Sequence, residues 1–298
     1  MIQECLKKSI FFILSLSCPT VRASGQEWME KYDGIKSLKE GRIAVKLKEK
    51  WGFVDKDGRE VIPLRYSAAN SFSEGLAAVE WAGGWGFIDR YGKEIIPPKY
   101  YSADSFSEGL AIVEIRTKYG FINKRGKEVI SIRYDGAHSF SEGLAGIKLN
   151  WNWGFVDKTN RVVVPLKYDW VLPYSEGLAV VELNWKWGFV DKENTEVIPR
   201  IYDWASSFSE GLAAVKLDEK YGFIDKNGEE VIPFKYDYIY DSFREGVAEV
   251  KSDEKKYYID RRGREYETEE AALIAISISN IIENEKNNKN GDGNKDEK

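Results

Sequence analysis

Apolar positions along this chain gather in short runs and do not recur at the three-to-four spacing of an amphipathic helix. Leu76-Ala77-Ala78-Val79-Glu80-Trp81 is one run, and Gly83-Gly84 follows it as a turn. Trp85-Gly86-Phe87-Ile88-Asp89 is the next, then the turn Arg90-Tyr91-Gly92, then Glu94-Ile95-Ile96-Pro97. Aromatic and β-branched residues bounded by glycine turns predict strands, so the segment reads as a three-stranded antiparallel meander. Leu76 and Ala78 point one way, Ala77 and Val79 the other, and all four are apolar. A sheet with two apolar faces is covered on both sides. Small alanines on one face, with Leu, Phe and Trp elsewhere, predict units nested face to face.

The pattern repeats with a period of 34 residues: Trp51-Gly52, Trp85-Gly86, Tyr119-Gly120, Trp153-Gly154, Trp187-Gly188 and Tyr221-Gly222. A Glu-Gly pair keeps the same register at Gly41, Gly75, Gly109, Gly143, Gly177, Gly211 and Gly246, the last step being 35 because one residue is inserted between Tyr236 and Phe243. A fixed period of this length means an array in which each unit buries its apolar surface against its neighbours. Helical hairpins share the period. They would have to carry two glycines and a proline per unit, each costing about 1 to 3 kcal/mol in a helix interior. The expected fold class is therefore all-β: a tandem array of seven units between residues 24 and 266, with strands from near Arg42 to near Tyr266. An open β-solenoid-like stack and a closed, propeller-like ring both satisfy the repeat. The open stack is favoured because no unit is assembled from both termini and the last unit is eroded to Lys256-Tyr257-Tyr258-Ile259-Asp260. Residues 267–283 follow as a capping helix, with Leu273, Ile274, Ile278, Ile281 and Ile282 expected on its buried face. Residues 284–298, rich in Asn, Lys, Asp and Glu, are expected to be a disordered tail.

The N-terminal end changes the expected compartment. Lys7 and Lys8, an apolar run from Ile10 to Leu16, and Val21-Arg22-Ala23 read as a signal peptide over residues 1–23, with export to the periplasm, cell surface or medium. The run is too short to span a bilayer, which takes about 20 apolar residues, and no other segment predicts a transmembrane span. Cys5 and Cys18, the only cysteines, both lie in the leader, so the mature chain has no disulfide and no thiol chemistry. Lipidation at Cys18 is the alternative fate of this end, giving a lipid anchor, although Ser15 stands where a lipid-attachment pattern wants a large apolar residue. The net charge of −5 becomes about −7 once Lys7, Lys8, Arg22 and Glu4 are removed. An acidic chain with interspersed charges and no basic stripe predicts no nucleic-acid partner.

The recurring polar residues have scaffold explanations. The Asp after each aromatic-glycine run (Asp55, Asp89, Asp157, Asp191, Asp225, Asp260, with Asn123 in the third unit) opens a turn by accepting backbone N–H groups. Gly58, Gly92, Gly126, Gly228 and Gly263, with Asn160 and Asn194 in two units, supply its left-handed residue. A calcium loop at Asp55-Lys56-Asp57-Gly58 is not expected, since other units place Lys124-Arg125 or Arg261-Arg262 there. The invariant Glu of Glu-Gly is expected to hold loop N–H groups.

These features resemble the bacterial WG-repeat family, also called KWG repeats. The resemblance rests on Lys50-Trp51-Gly52-Phe53-Val54-Asp55 and Lys186-Trp187-Gly188-Phe189-Val190-Asp191, on Glu-Val-Ile-Pro at 60–63, 196–199 and 230–233, and on Phe-Ser-Glu-Gly-Leu-Ala at 72–77, 106–111, 140–145 and 208–213. It covers roughly residues 32 to 266; Tyr119, Tyr221 and Ser131 are modest departures. It implies a repeat protein and carries no settled activity.

No catalytic constellation stands out. His138 is the only histidine and fills a loop position held elsewhere by Asn70, Asp104 or Ser206, so no Ser-His-Asp or Cys-His set can form and no enzyme activity, cofactor or metal is expected. Function in an array is sought where units differ. Two residues before the aromatic-glycine pair, most units carry Glu49, Gly83, Thr117 or Glu219, whereas two carry Trp151 and Trp185. After the third strand, Ala68, Ser102 and Gly136 give way to Trp170, Trp204 and Tyr238. Exposed aromatics in register form a ladder suited to sugar rings or a partner's apolar surface; folded onto neighbouring units, the same rings only complete the packing. The expected role is an exported, non-enzymatic scaffold that binds a carbohydrate or protein partner. The alternatives are a structural spacer or surface lipoprotein with no ligand, and hydrolysis of a glycan by an unmarked carboxylate pair.

Overall fold

The computed structural model describes residues 27–291. The expected leader, with Cys5 and Cys18, lies outside the described residues, as do residues 292–298. A 3₁₀ turn over Glu27–Lys31 leads into seven four-stranded antiparallel sheets, each made of consecutive strands. The first holds β1 (Gly34–Ile35), β2 (Ile43–Leu47), β3 (Lys50–Val54) and β4 (Glu60–Tyr66); the second holds β5 (Ala68–Ala69), β6 (Leu76–Trp81), β7 (Gly84–Asp89) and β8 (Glu94–Tyr100). Among the described residues no sheet takes strands from both ends of the chain. The chain divides into two compact units, Met1–Lys167 with the first four sheets and Tyr168–Lys298 with the last three and the helix α1 (Glu269–Gly291).

The tandem antiparallel array is as the pattern predicts, with one strand more per sheet. β5 pairs with β6 through Ala68↔Glu80 and Ala69↔Val79. The cause is the Glu-Gly pair. Glu74 (φ 54°) and Gly75 (φ 87°) are both left-handed, and Ser73 and Leu76 exchange backbone hydrogen bonds of 2.9 and 3.2 Å. This is a two-residue hairpin turn. It folds the preceding segment back along β6, which turns the expected loop into a two-residue edge strand too short to show an alternation in sequence. Trp170, Trp204 and Tyr238 therefore sit on strands, at Trp170–Val171, Trp204–Ala205 and Tyr238–Ile239.

Successive sheets nest as expected. Ala44, Phe53, Ile62 and Tyr66 of the first sheet share a buried cluster with Ala69, Phe72, Ala77, Val79 and Ile88 of the second. Phe53 meets Phe72 at 4.9 Å between ring centroids, and Phe87–Phe106 and Phe189–Phe208 repeat that spacing at 4.9 Å. At the first sheet, Trp28 and Tyr32 pack on Ile43, Val45 and Val54, an N-terminal cover that the sequence pattern did not predict.

The C-terminal helix differs from expectation in face and length. Ala272 is buried and Leu273, Ala275 and Ile276 are half-buried, but Ile274, Ile278, Ile281 and Ile282 are exposed. Small residues at 272, 275 and 279 let the helix lie close to the last sheet, and Ile276 closes over Gly246, which has no Cβ to obstruct it. The bulkier isoleucines point away. The helix also runs to Gly291, through part of the segment expected as a tail, as Glu and Lys, both good helix formers, permit.

Candidate functional site

The hairpins joining the second and third strands of each sheet set the first group of aromatics. Both central residues of each turn are left-handed: Lys48-Glu49, Ala82-Gly83, Arg116-Thr117, Asn150-Trp151, Asn184-Trp185, Asp218-Glu219 and Asp253-Glu254. Type I′ turns favour Asn then Gly, so Asn150 and Asn184 suit their places, and the tryptophans do not. A side chain held left-handed costs about 1–2 kcal/mol. Three turns offset it with an ion pair to the second central residue: Lys46–Glu49 (2.8 Å), Lys216–Glu219 (3.0 Å) and Lys251–Glu254 (2.8 Å). At Trp151 the ring takes the acid's place, with Lys148 Nζ 5.1 Å from its centroid. At Trp185 there is no such cation, because Glu182 occupies that position and accepts the Trp185 backbone N–H at 2.7 Å. The indoles are 83% (Trp151) and 88% (Trp185) exposed. Burial does not compensate the strained turn in either case.

The edge-strand aromatics behave differently. In the second compact unit, Trp204 meets Tyr221 at 5.8 Å, Tyr221 meets Tyr238 at 6.1 Å, and Tyr238 meets Tyr240 at 5.0 Å. Trp204 and Tyr221 are half-buried on the core; Tyr238 is 49% exposed and Tyr240 48%. Trp170, 40% exposed, sits across from Glu182 on the fifth sheet. So the structure joins Trp204 and Tyr238 through Tyr221, which the sequence reading took as a plain tryptophan substitute. It adds Tyr240, which that reading missed. The signal for Tyr240 was present: it stands at the register held by Asn70, Asp104, His138 and Ser206 in other units.

Charges around this row are paired. Lys216 and Lys251 are raised above the ordinary lysine range by hydrogen bonds to Glu219 and Glu254, and Lys256 by its bond to Glu249 at 2.8 Å. Lys220 holds Asp237 below the usual carboxylate range at 2.6 Å. The aromatic surface is thus bordered by neutralised pairs. His138 is half-buried and stacked on Trp153, at 4.5 Å and 11° between planes. Among the described residues no group of three or more His, Cys, Asp or Glu side chains is placed to hold a metal ion, and no helix is long and apolar enough to cross a membrane.

Comparison with known families matches the WG containing repeat at residues 24–51, 51–80, 85–119, 119–150, 153–187, 187–221 and 221–255. The chain belongs to the WG-repeat family. No curated protein matches it. A crystal structure of the eukaryotic initiation factor is similar at 13% identity and a TM-score of 0.53, covering 76% of this chain and 73% of that one. Dihydro-heme d1 dehydrogenase NirN in complex with DHE aligns at 12% identity and a TM-score of 0.48, over 79% of this chain and 65% of that one. The first is a likeness of fold.

The glycine of the WG pair has a steric origin. β7 and β8 lose register between Trp85 and Phe87, which brings the β8 backbone against Gly86. A Cβ on Gly86 would lie 2.4 Å from the Ile96 carbonyl oxygen, and one on Gly154 2.5 Å from that of Val164. The signature Trp/Tyr lies across from the buried tyrosine that ends the fourth strand, Trp85↔Tyr100 and Tyr221↔Tyr236. The family's defining residues are scaffold, and the variable aromatics are where a ligand site is to be sought.

Proposed function

We propose that this WG-repeat chain is an exported, non-enzymatic binding scaffold that recognises a carbohydrate or protein partner through aromatic side chains peculiar to a few of its units. The observation that carries the reading is the state of Trp185: a large apolar ring, 88% exposed, on a left-handed turn residue where glycine or a paired glutamate serves the fold better. Strain retained without packing is the usual mark of a residue kept for contact with something else. Trp151 repeats the arrangement in the other compact unit. A spacer would have no use for either. Export rests on the leader-like segment with Lys7, Lys8 and Ile10–Leu16, and a lipid anchor at Cys18 stays the alternative form of attachment.

The test is co-sedimentation of the purified chain with insoluble cell-wall and host-matrix polysaccharides, and with immobilised envelope proteins. Trp151→Ala, Trp185→Ala and the double variant run beside it. Retention lost in a folded variant supports the reading. Equal behaviour of all forms on every surface overturns it.

A further inference from the structure

Most hairpins between the second and third strands borrow a carboxylate from the segment that enters their sheet. Asp33 accepts the Lys48 N–H at 2.8 Å, Asp135 that of Asn150 at 2.8 Å, Asp169 that of Asn184 at 2.9 Å and Asp237 that of Asp253 at 2.9 Å. The same register of aspartates pairs with the lysine that follows the hairpin one sheet earlier: Lys186–Asp203 at 2.7 Å, Lys220–Asp237 at 2.6 Å, and Lys118–Asp135. One place breaks both halves of this arrangement. Gly84 stands where the lysine is found in other units, and Tyr101 where the aspartate is found. At Lys50–Ser67 and at Asn152–Asp169 only one partner changes. The double loss leaves a cleft of about 290 Å³ lined by Gly83, Gly84, Lys99, Tyr101, Ile115 and Arg116, at the small end of ligand-sized clefts. Its donors lack acceptors. The Arg116 N–H, counterpart of those at Lys48 and Asn150, has no acceptor among the described residues, and the Arg116 guanidinium and Lys99 Nζ have no ion pair among them. Lys99 instead lies 5.1 Å from the Tyr100 ring centroid. Glu114, the acid beside Ile115, is buried, accepts the Ser102 hydroxyl at 2.8 Å and does not line the cleft. Tyr101 itself is 78% exposed.

We propose that this cleft binds a carboxylated sugar, a uronate residue of a glycan, an assignment that rests on the binding-scaffold reading and narrows its ligand. The ligand's carboxylate takes the place of the aspartate that the other units supply. It accepts the Arg116 N–H and pairs with the Arg116 guanidinium and Lys99, and hydrogen bonds to an ionised group are the stronger kind. The Tyr101 ring offers an open face to the C–H surface of a pyranose ring, its apolar body turned to the ligand and its hydroxyl to water. In a uronate the carboxyl carbon is bonded directly to the sugar ring, so one residue brings both features into a cleft of this size. Gly84 leaves the room that a lysine side chain fills in other units. A peptide C-terminus supplies the carboxylate but holds no ring rigidly beside it, and a neutral sugar supplies the ring without the charge.

The experiment is titration of the isotope-labelled chain with methyl glucuronide, followed through backbone amide resonances, with methyl glucoside, acetate and trialanine as parallel arms. Saturable glucuronide binding is expected, with the Arg116 amide among the resonances that move. Affinity should fall at least tenfold for methyl glucoside, which lacks the carboxylate, and severalfold in Tyr101→Ala, which lacks the ring. Tyr101→Asp restores the residue of the other units; it should fold as the parent does and lose binding, because its own carboxylate takes the Arg116 N–H. Circular dichroism and urea midpoints check the fold of both variants. No saturable glucuronide binding, or binding indifferent to Tyr101→Asp, overturns the proposal. Acetate bound as tightly as the glucuronide, with Tyr101→Ala without effect, overturns it in favour of a plain anion site, and trialanine bound more tightly assigns the cleft to a peptide terminus. The binding-scaffold reading fails separately, by indifference to the Trp151 and Trp185 changes in the sedimentation assay.

Discussion

The carboxylate of Glu74 accepts the backbone N–H of Gly109, 35 residues further along the chain, at 3.0 Å. Lys124, at the end of the third strand of the sheet that Gly109 leads into, closes on the same carboxylate at 3.0 Å. One side chain thus ties two consecutive repeats at two points. Glu108 does the same with Gly143 (3.0 Å) and Lys158 (3.1 Å), and in the other compact unit Glu176 does so with Gly211 (3.1 Å) and Lys226 (3.1 Å). Burial, the largest single influence, pushes Glu74 upward, yet Lys124 and the Gly109 N–H outweigh it and hold the carboxyl below its ordinary range.

Removing this link should cost more at the acid than at the base. Glu108→Ala leaves the Gly143 N–H without its charged acceptor, for a loss of about 1 kcal/mol once partial exposure is allowed for. Lys158→Ala removes only a half-exposed ion pair and should cost less than about 0.5 kcal/mol. Urea unfolding midpoints of the two variants check the order.

The two kinds of glycine should separate in the same way. Gly86→Ala drives a Cβ to 2.4 Å from the Ile96 carbonyl oxygen and 2.6 Å from the Trp81 ring, so the strands must part. A cost of about 3 kcal/mol is expected, at the upper end for overpacking. Gly83→Ala meets no atom within 4 Å, and its φ of 82° is its only penalty, about 1 kcal/mol. Thermal denaturation of both variants provides the comparison.

Trp185→Gly should stabilise the protein, by about 1 kcal/mol, because it leaves Asn184 followed by glycine, the preferred pair for this turn, and almost no packing is lost. Trp151→Gly should gain less, since it also gives up the Lys148 contact with the ring, an exposed cation–π pair of about 0.5 kcal/mol. Differential scanning calorimetry reads both. A clear loss of stability at Trp185 would make the indole a structural element and remove the main support for a binding role.

Acid should loosen the turns that Asp55, Asp157 and Asp225 open after the third strand of their sheets. The Thr159 hydroxyl, with the Arg161 and Thr159 backbone N–H groups, holds Asp157 down at about 2. Asp55 is lowered chiefly by the Arg59 N–H, and Asp225 by that of Glu229. A carboxylate depressed in the folded state stabilises above its unfolded pKa, near 3.9, and loses that contribution as pH falls through the folded value. The difference in melting temperature between the parent and Asp157→Asn should be full above about pH 5 and vanish only below about pH 2. A difference that stayed constant over this range would exclude the linkage.

Much of the architecture was legible before any coordinates, because the repeat makes local rules visible seven times over. Asp followed three residues later by Gly or Asn specifies a turn, and Asp89 does cap it through the Tyr91 and Lys93 N–H groups at 2.9 Å. The short first strand of each sheet was not legible. A two-residue strand has no periodicity, and only the paired left-handed angles at Glu-Gly reveal the hairpin. The face of α1 was misread because apolar spacing names candidates for burial without saying which the sheet can approach closely. At the candidate site, the sequence singled out Trp151, Trp185, Trp170, Trp204 and Tyr238 by departure from the repeat, yet offered one register as one ladder.

By itself the sequence determined the period, the all-β class, the turns and the scaffold role of the invariant residues, since each follows from short-range sterics and hydrogen bonding repeated in register. Only the tertiary structure decided which aromatics stand free on strained hairpins and which pack into a row. Ring exposure and the angle between rings 17 residues apart depend on how neighbouring sheets nest, and no local pattern encodes that.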